Sequence, residues 1–422
     1  MDTCDTVLRR TMIAAWALAA AVNLSAGLWL ATDPDRASDL ENVERWGHQW
    51  LIDGKDVYAR PGVTTSYPPH GIVALSPLGV IPPRMAQPAW LAVNVACAVL
   101  APWLAALAVR PGAHWPDALL LILMFLCWGG VRSLLQFSLA TLTFSLLAMR
   151  FADQRPRSSG LALAIGLIKP QIALPVFVWA LLTRRLRVAG IALAFVMLGF
   201  AVFCIRARAA PLSVIAAYLG ILQLLYLGAA IVVGLANVRE LLALAISDTR
   251  IVDALAITIA AALLVVVWIV GTRERTRSGV VMYSAPPLVA VWSLLTFYHL
   301  TYGFVVLLPL AAVLRFSSEG RTATYRKRLF WGMQLALMID VPGVWRRVEH
   351  LIEAPTILST AAMQFDRALM LALFASVGVL AARAGRAAAV EQPPLARLLA
   401  AHARLRRRVV GAVGEKEDPG AS

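Results

Sequence analysis

Charged residues are scarce in this chain. Asp, Glu, Lys and Arg make up 15% of its 422 residues, against about a quarter in soluble globular proteins. Water cannot solvate the long uncharged stretches that result, which excludes an ordinary soluble fold. Cysteine is scarcer still. Cys4, Cys97, Cys127 and Cys204 are the only four, and their wide spacing excludes a disulfide framework or a paired-cysteine metal site. The chain also lacks a GxGxxG loop, a P-loop and an HExxH motif, so nucleotide cofactors and zinc hydrolysis have no support. No internal repeat is visible, and no stretch outside the apolar runs is long enough to bury a core of its own.

What is abundant is apolar. Hydrophobic residues reach 60%, and the mean hydropathy is +0.72. The formal net charge of +15 comes from Lys and Arg in short clusters between apolar runs. That is the pattern of cytoplasmic membrane loops, not of a nucleic-acid-binding face. An all-α polytopic membrane protein is therefore expected, with no nucleic-acid partner.

Basic clusters assign the sides. A first span over about 11–31 follows Arg9 and Arg10 and reads as an uncleaved signal anchor. The loop from about 32 to 69 is then outside, and its acids include Asp33, Asp35, Asp39, Glu41 and Glu44. Further spans are expected at about 85–109, 117–131, 134–149, 188–205, 251–270, 280–296, 299–315, 329–345 and 365–382. Between Ser159 and Thr183 both flanks are basic, with Arg155 and Arg157 before and Arg184, Arg185 and Arg187 after. A re-entrant pair of half-helices meeting near Lys169-Pro170 keeps both flanks inside, because proline disfavours helix at the residue before it. The apolar run in 209–249 is expected to lie at the outer interface. The total is about ten crossings plus one hairpin in a membrane domain over 1–383. A basic tail at 384–422 follows, and both termini are cytoplasmic in a cell membrane.

Three residues stand out for chemistry. Asp39 opens a segment in which Val43, Trp46, Trp50 and Leu51 recur at helical spacing, with Gly54 after it. An amphipathic helix lying on the outer membrane surface is expected there, and a carboxylate at its start can act as a general base. Lys169 puts a cation deep in apolar sequence, where such groups face a partner or water. At a hairpin tip it can meet a phosphate. His299, in Phe297-Tyr298-His299-Leu300-Thr301-Tyr302, falls at an outer junction of two spans and can donate to a phosphate oxygen.

Four ordered stretches carry a family resemblance: Asp39-Leu40 with Gly54-Lys55-Asp56-Val57-Tyr58; Tyr67-Pro68-Pro69 with Ser76-Pro77-Leu78; Gly160 to Arg187 around Lys169-Pro170; and Ser293 to His299. The set resembles the polyprenyl-phosphate-dependent mannosyltransferases of glycosyltransferase family 87, within the membrane-embedded GT-C class. Gln136 falls where the family often has Gly-Gln, although Phe137 departs from that match. Leu294 stands in place of the family's proline, and Leu300 in place of a second histidine.

The resemblance implies an inverting transfer of mannose or a similar sugar at the outer face. The donor would be a sugar on polyprenyl phosphate, the acceptor an envelope glycolipid or glycan, and membrane lipids the surroundings. Asp39 would be the base, Lys169 and His299 would bind the donor phosphate, and Glu41, Tyr58, Tyr67, Gln136 and Tyr302 would support them. No cofactor is implied, although weak metal binding by Asp39 and Glu41 stays open. A transporter or lipid flippase would also use buried charges and broken helices, and a non-catalytic envelope assembly subunit is a further alternative.

Overall fold

The computed structural model of the chain describes residues 3–32, 39–59, 65, 67–110, 112–228, 238–243, 245–275, 285–296, 301–316 and 323–339. The chain divides into Met1–Ala375 and Ser376–Ser422. The second unit, the expected tail and the expected span at 365–382 lie outside the described residues.

Every regular element among those residues is helical. In chain order they are α1 (Thr3–Ala31), α2 (Asp39–Leu51), α3 (Pro69–Leu75), a 3-10 turn (Ser76–Val80), α4 (Pro83–Val109) and α5 (Trp115–Leu126). A second 3-10 turn (Gly129–Arg132) leads to α6 (Ser138–Phe151), α7 (Pro156–Gly166), α8 (Pro170–Leu182), α9 (Leu186–Ala207) and α10 (Pro211–Gly228). Then come α11 (Val238–Ala243), α12 (Thr249–Arg275), α13 (Ala285–Thr296), a third 3-10 turn (Thr301–Leu307), α14 (Leu308–Phe316) and α15 (Ala323–Ile339). Proline stands in the first turn of α3, α4, α7 and α8, where its missing N–H costs nothing and its fixed φ favours the first helical residue.

Among the described residues, four helices are long and apolar enough to cross a membrane: Arg10–Ala31, Pro83–Val109, Leu186–Ala207 and Thr249–Ile269. They fall on four of the expected spans. Leu193, Phe195, Met197, Leu198 and Ile205 of α9 are exposed, as a helix facing lipid requires. Two expected spans are shorter as helices. The stretches expected at 117–131 and 134–149 form α5, of 12 residues, and α6, of 14, separated by an irregular turn through Gly129-Gly130. The expected break at Lys169-Pro170 is present. Helix α7 ends at Gly166 and α8 starts at Pro170.

Helix α2 lies across the first 3-10 turn. Its apolar face, Leu40, Val43, Trp46 and Trp50, is buried, so the spacing read from the sequence is the packing that forms. The crossing is close because two glycines meet there. A Cβ on Gly79 would sit 2.7 Å from the Glu44 carbonyl oxygen, and one on Gly47 would sit 2.9 Å from the Ser76 Cα. Gly79→Ala is therefore expected to destabilise the fold by about 1–3 kcal/mol, read as a lower thermal unfolding temperature of the detergent-solubilised protein. An unchanged midpoint would show that α2 can lift away freely.

The C-terminal end of α2 is tied to α9. Arg206 donates from Nη2 to the Leu51 and Ile52 carbonyls at 2.7 and 2.9 Å, satisfying acceptors that a helix end leaves unpaired. Trp50 stacks on Phe203 at 5.9 Å and donates from its indole to the Phe203 carbonyl at 3.2 Å. Gly54, at φ +64°, turns the chain away in the left-handed region that favours glycine.

Candidate active site

Four separate segments converge at the start of α2. Asp39 is its first residue. The Lys169 ammonium, only 2% exposed, lies 3.2 Å from Asp39 Oδ2 and also donates to Gln136 Oε1 at 2.9 Å. The Tyr67 hydroxyl donates to the same Asp39 oxygen at 2.9 Å. Both of these bonds to Asp39 fall on Oδ2, and the side chain is 26% exposed and so reachable.

Local structure explains the convergence. Lys169 lies where the backbone cannot stay helical, because Pro170 follows it. Its ammonium therefore leaves the apolar packing of α7 and α8 and turns to acceptors. A buried ammonium without such partners would cost several kcal/mol. It also lies 5.7 Å from the centre of the Tyr67 ring, an attractive placement for a cation.

Tyr67 is itself held firmly. Tyr58 donates from its hydroxyl to the Tyr67 carbonyl at 2.7 Å, and the Tyr67 N–H donates to Thr65 Oγ1 at 3.2 Å. Burial first, then Tyr218 and Asp56, pushes the Tyr58 hydroxyl well above the usual tyrosine range, so it stays a donor at working pH. The Tyr67 ring packs against Trp46 and edge-on to Phe137, which in turn lies against Trp90.

Tyr67→Phe keeps this packing and removes one hydrogen bond to Asp39. Transfer is expected to fall about two- to tenfold, read as initial rate at saturating donor. A larger loss would mean that the hydroxyl meets the reacting atoms.

Asp39, Tyr67, Gln136 and Lys169 thus meet, with Tyr58 one bond behind them. Glu41 does not join them. It lies on the exposed side of α2, and its charge adds to the burial that raises the Glu44 carboxyl. His299 lies outside the described residues. Tyr302 lies in the third 3-10 turn, and its side chain is outside them too. Ser293, which opens the stretch leading to His299, donates to the Gln171 carbonyl at 3.0 Å, so that stretch begins two residues beyond Lys169. Among the described residues no group of three His, Cys, Asp or Glu side chains is arranged to hold a metal ion.

Sequence reasoning favoured Lys169 as a phosphate ligand, with a buried acid as the alternative partner, and did not name Asp39 as that acid. It took Phe137 as a departure, although that ring packs the site.

The family model for glycosyltransferase family 87 matches residues 65–285, just over half of the chain. The chain belongs to glycosyltransferase family 87. It is a glycosyltransferase, and its long apolar helices are those of a membrane protein. No curated protein and no solved structure matches it. The matched region holds Tyr67, Gln136 and Lys169, and Asp39 lies ahead of it. The fold brings Asp39 back to the family's own segment.

Proposed function

We propose that this family 87 glycosyltransferase moves a sugar from a polyprenyl-phosphate donor to a hydroxyl of an envelope glycolipid or glycan at the outer membrane face. The acceptor oxygen attacks the anomeric carbon as its proton passes to Asp39 Oδ1. The bond from the anomeric carbon to the phosphate oxygen breaks, and its electron pair leaves with the lipid phosphate. One displacement inverts the anomeric centre. Negative charge grows on the departing phosphate, and preorganised cations lower that barrier.

Lys169 has two tasks in this reading. Before the donor arrives it balances Asp39 at 3.2 Å. When the phosphate binds, the ammonium turns to it, and the carboxylate is left to take the proton. His299 supplies a second donor to the phosphate. Mannose or arabinofuranose would suit the site, with about ten crossings, a re-entrant hairpin over α7 and α8 and cytoplasmic termini placing it outside.

The observation that carries the reading is the Asp39–Lys169 pair, joined by Tyr67 and Gln136. A carrier or flippase would also use buried charges, but the family 87 match does not favour that reading. The test is incubation of the purified protein with labelled polyprenyl-phosphate sugars and an envelope lipid extract. Label should pass to a lipid or glycan product. Absence of transfer from every donor tried would overturn the proposal.

A further inference from the structure

The ends of α7 and α8 that lie away from Lys169 are surrounded by arginine. Arg150, Arg155 and Arg157 lie around the connection from α6 to α7, and Arg184, Arg185 and Arg187 around that from α8 to α9. The two connections are neighbours in space. Arg185 donates from Nε and Nη2 to the Asp153 carboxylate at 2.9 and 2.7 Å. Asp153 is the only acid between Arg150 and Arg187, and this two-pronged bond occupies it. The other five arginines have no ion pair among the described residues. Arg155, Arg157, Arg184 and Arg187 are exposed, and like charges gathered in one place repel.

Arg184 stands there at a conformational cost. Its φ of +54° is in the left-handed region, where glycine commonly closes a helix. The Arg185 N–H donates to the Ala180 carbonyl at 2.8 Å, so backbone geometry alone caps α8. Glycine would make the same turn without strain. A strained arginine inside an unpaired basic cluster calls for an anion outside the chain.

The surroundings say where that anion resides. Helix α9 starts at Leu186, between Arg185 and Arg187, and is long and apolar enough to cross a membrane. Leu181 and Leu186 are exposed beside the arginines. The Arg185 guanidinium lies 4.5 Å from the centre of the Trp179 ring. Those of Arg150 and Arg155 lie 5.5 and 6.0 Å from that of Phe151. Positive charge at the end of an apolar span, with aromatic rings and leucines beside it, suits the headgroup layer of a bilayer. We propose that the two connections form one docking surface for the phosphate headgroups of anionic phospholipids. A lipid held there bridges the connections and steadies the helix pair that carries Lys169 at its other end. This rests on the membrane character of the chain and not on the role of Asp39.

The test uses the full chain in non-ionic detergent, titrated with phosphatidylglycerol or phosphatidylcholine of the same acyl chains. Bound lipid is counted by native mass spectrometry, and the thermal unfolding midpoint is read in parallel. Phosphatidylglycerol is expected to bind at least about tenfold more tightly and to raise the midpoint. Arg155→Gln with Arg157→Gln should remove most of that preference. Arg184→Gly should lower it about fivefold, yet raise the midpoint in detergent alone by relieving the turn. The same charge removed from the tail, as Arg406→Gln with Arg407→Gln, should leave the preference within about twofold.

Equal binding of the two lipids overturns the proposal. So does an equal loss in the tail variant, which would make the preference one of net charge. Soluble glycerol phosphate that gives the whole midpoint shift overturns it too, since a free anion would then suffice. Should the Arg155 and Arg157 double variant fail to fold, the lipid series and Arg184→Gly still decide. Lipid binding needs no chemistry, so Asp39→Asn protein should show the same preference. Normal transfer by Asp39→Asn would sink the proposed reaction and leave this surface to stand on its own readout.

Discussion

Asp39→Asn is expected to lower sugar transfer about a hundred- to ten-thousandfold, the range that a positioned general base contributes. The amide keeps the shape of the carboxylate and can still accept from Tyr67, so the protein should accumulate and unfold much as before. What it loses is a site for the acceptor's proton at the moment the oxygen attacks. The measurement is the rate of label transfer per mole of folded protein, with size-exclusion behaviour as the control. Transfer within a few-fold of the unaltered rate would remove Asp39 from the chemistry.

The second large effect is expected at Lys169. Lys169→Met preserves much of the side-chain volume in a position that is 2% exposed and removes the charge that faces Asp39 and Gln136. Transfer should fall at least a hundredfold, because the departing phosphate loses a preorganised cation. Stability should fall as well, by about 1–3 kcal/mol, since a partly buried carboxylate and a buried amide oxygen lose their donor. Adding Asp39→Asn to Lys169→Met removes the unpaired charge. The double variant should regain part of that stability and none of the transfer. Equal stability of the single and double variants would show that the pair is not coupled in the folded protein.

The sequence made some of this legible and hid the rest for physical reasons. Helix α2 was readable because Val43, Trp46 and Trp50 repeat at helical spacing in an otherwise polar stretch, and all three are buried. The break before α8 was readable because proline constrains its neighbour locally. Asp39 and Lys169 could each be singled out, one as an acid at a helix start and the other as a cation in apolar sequence. Their pairing could not be read, because 130 residues separate them and no local pattern records a contact of that range. Gln136 was suggested by family likeness alone, and only the fold shows that it shares the ammonium. The shortness of α5 and α6 was also hidden. The apolar residues beside Arg132 extended the expected spans to 131 and from 134, whereas α5 already ends at Leu126 and α6 starts only at Ser138.

The order of the cluster along the chain has a consequence for biosynthesis. Asp39, Tyr67 and Gln136 all leave the ribosome before Lys169 does, and chains fold from the N-terminus as they emerge. The ammonium therefore meets Asp39 and Gln136 when both are already made. A truncated chain ending soon after α9 should already hold its lysine neutralised. A nascent chain in which an apolar residue replaces Asp39, unlike the isosteric Asn, would insert that lysine with Gln136 alone to meet it, and the cell's quality-control proteases would be the first to register the change.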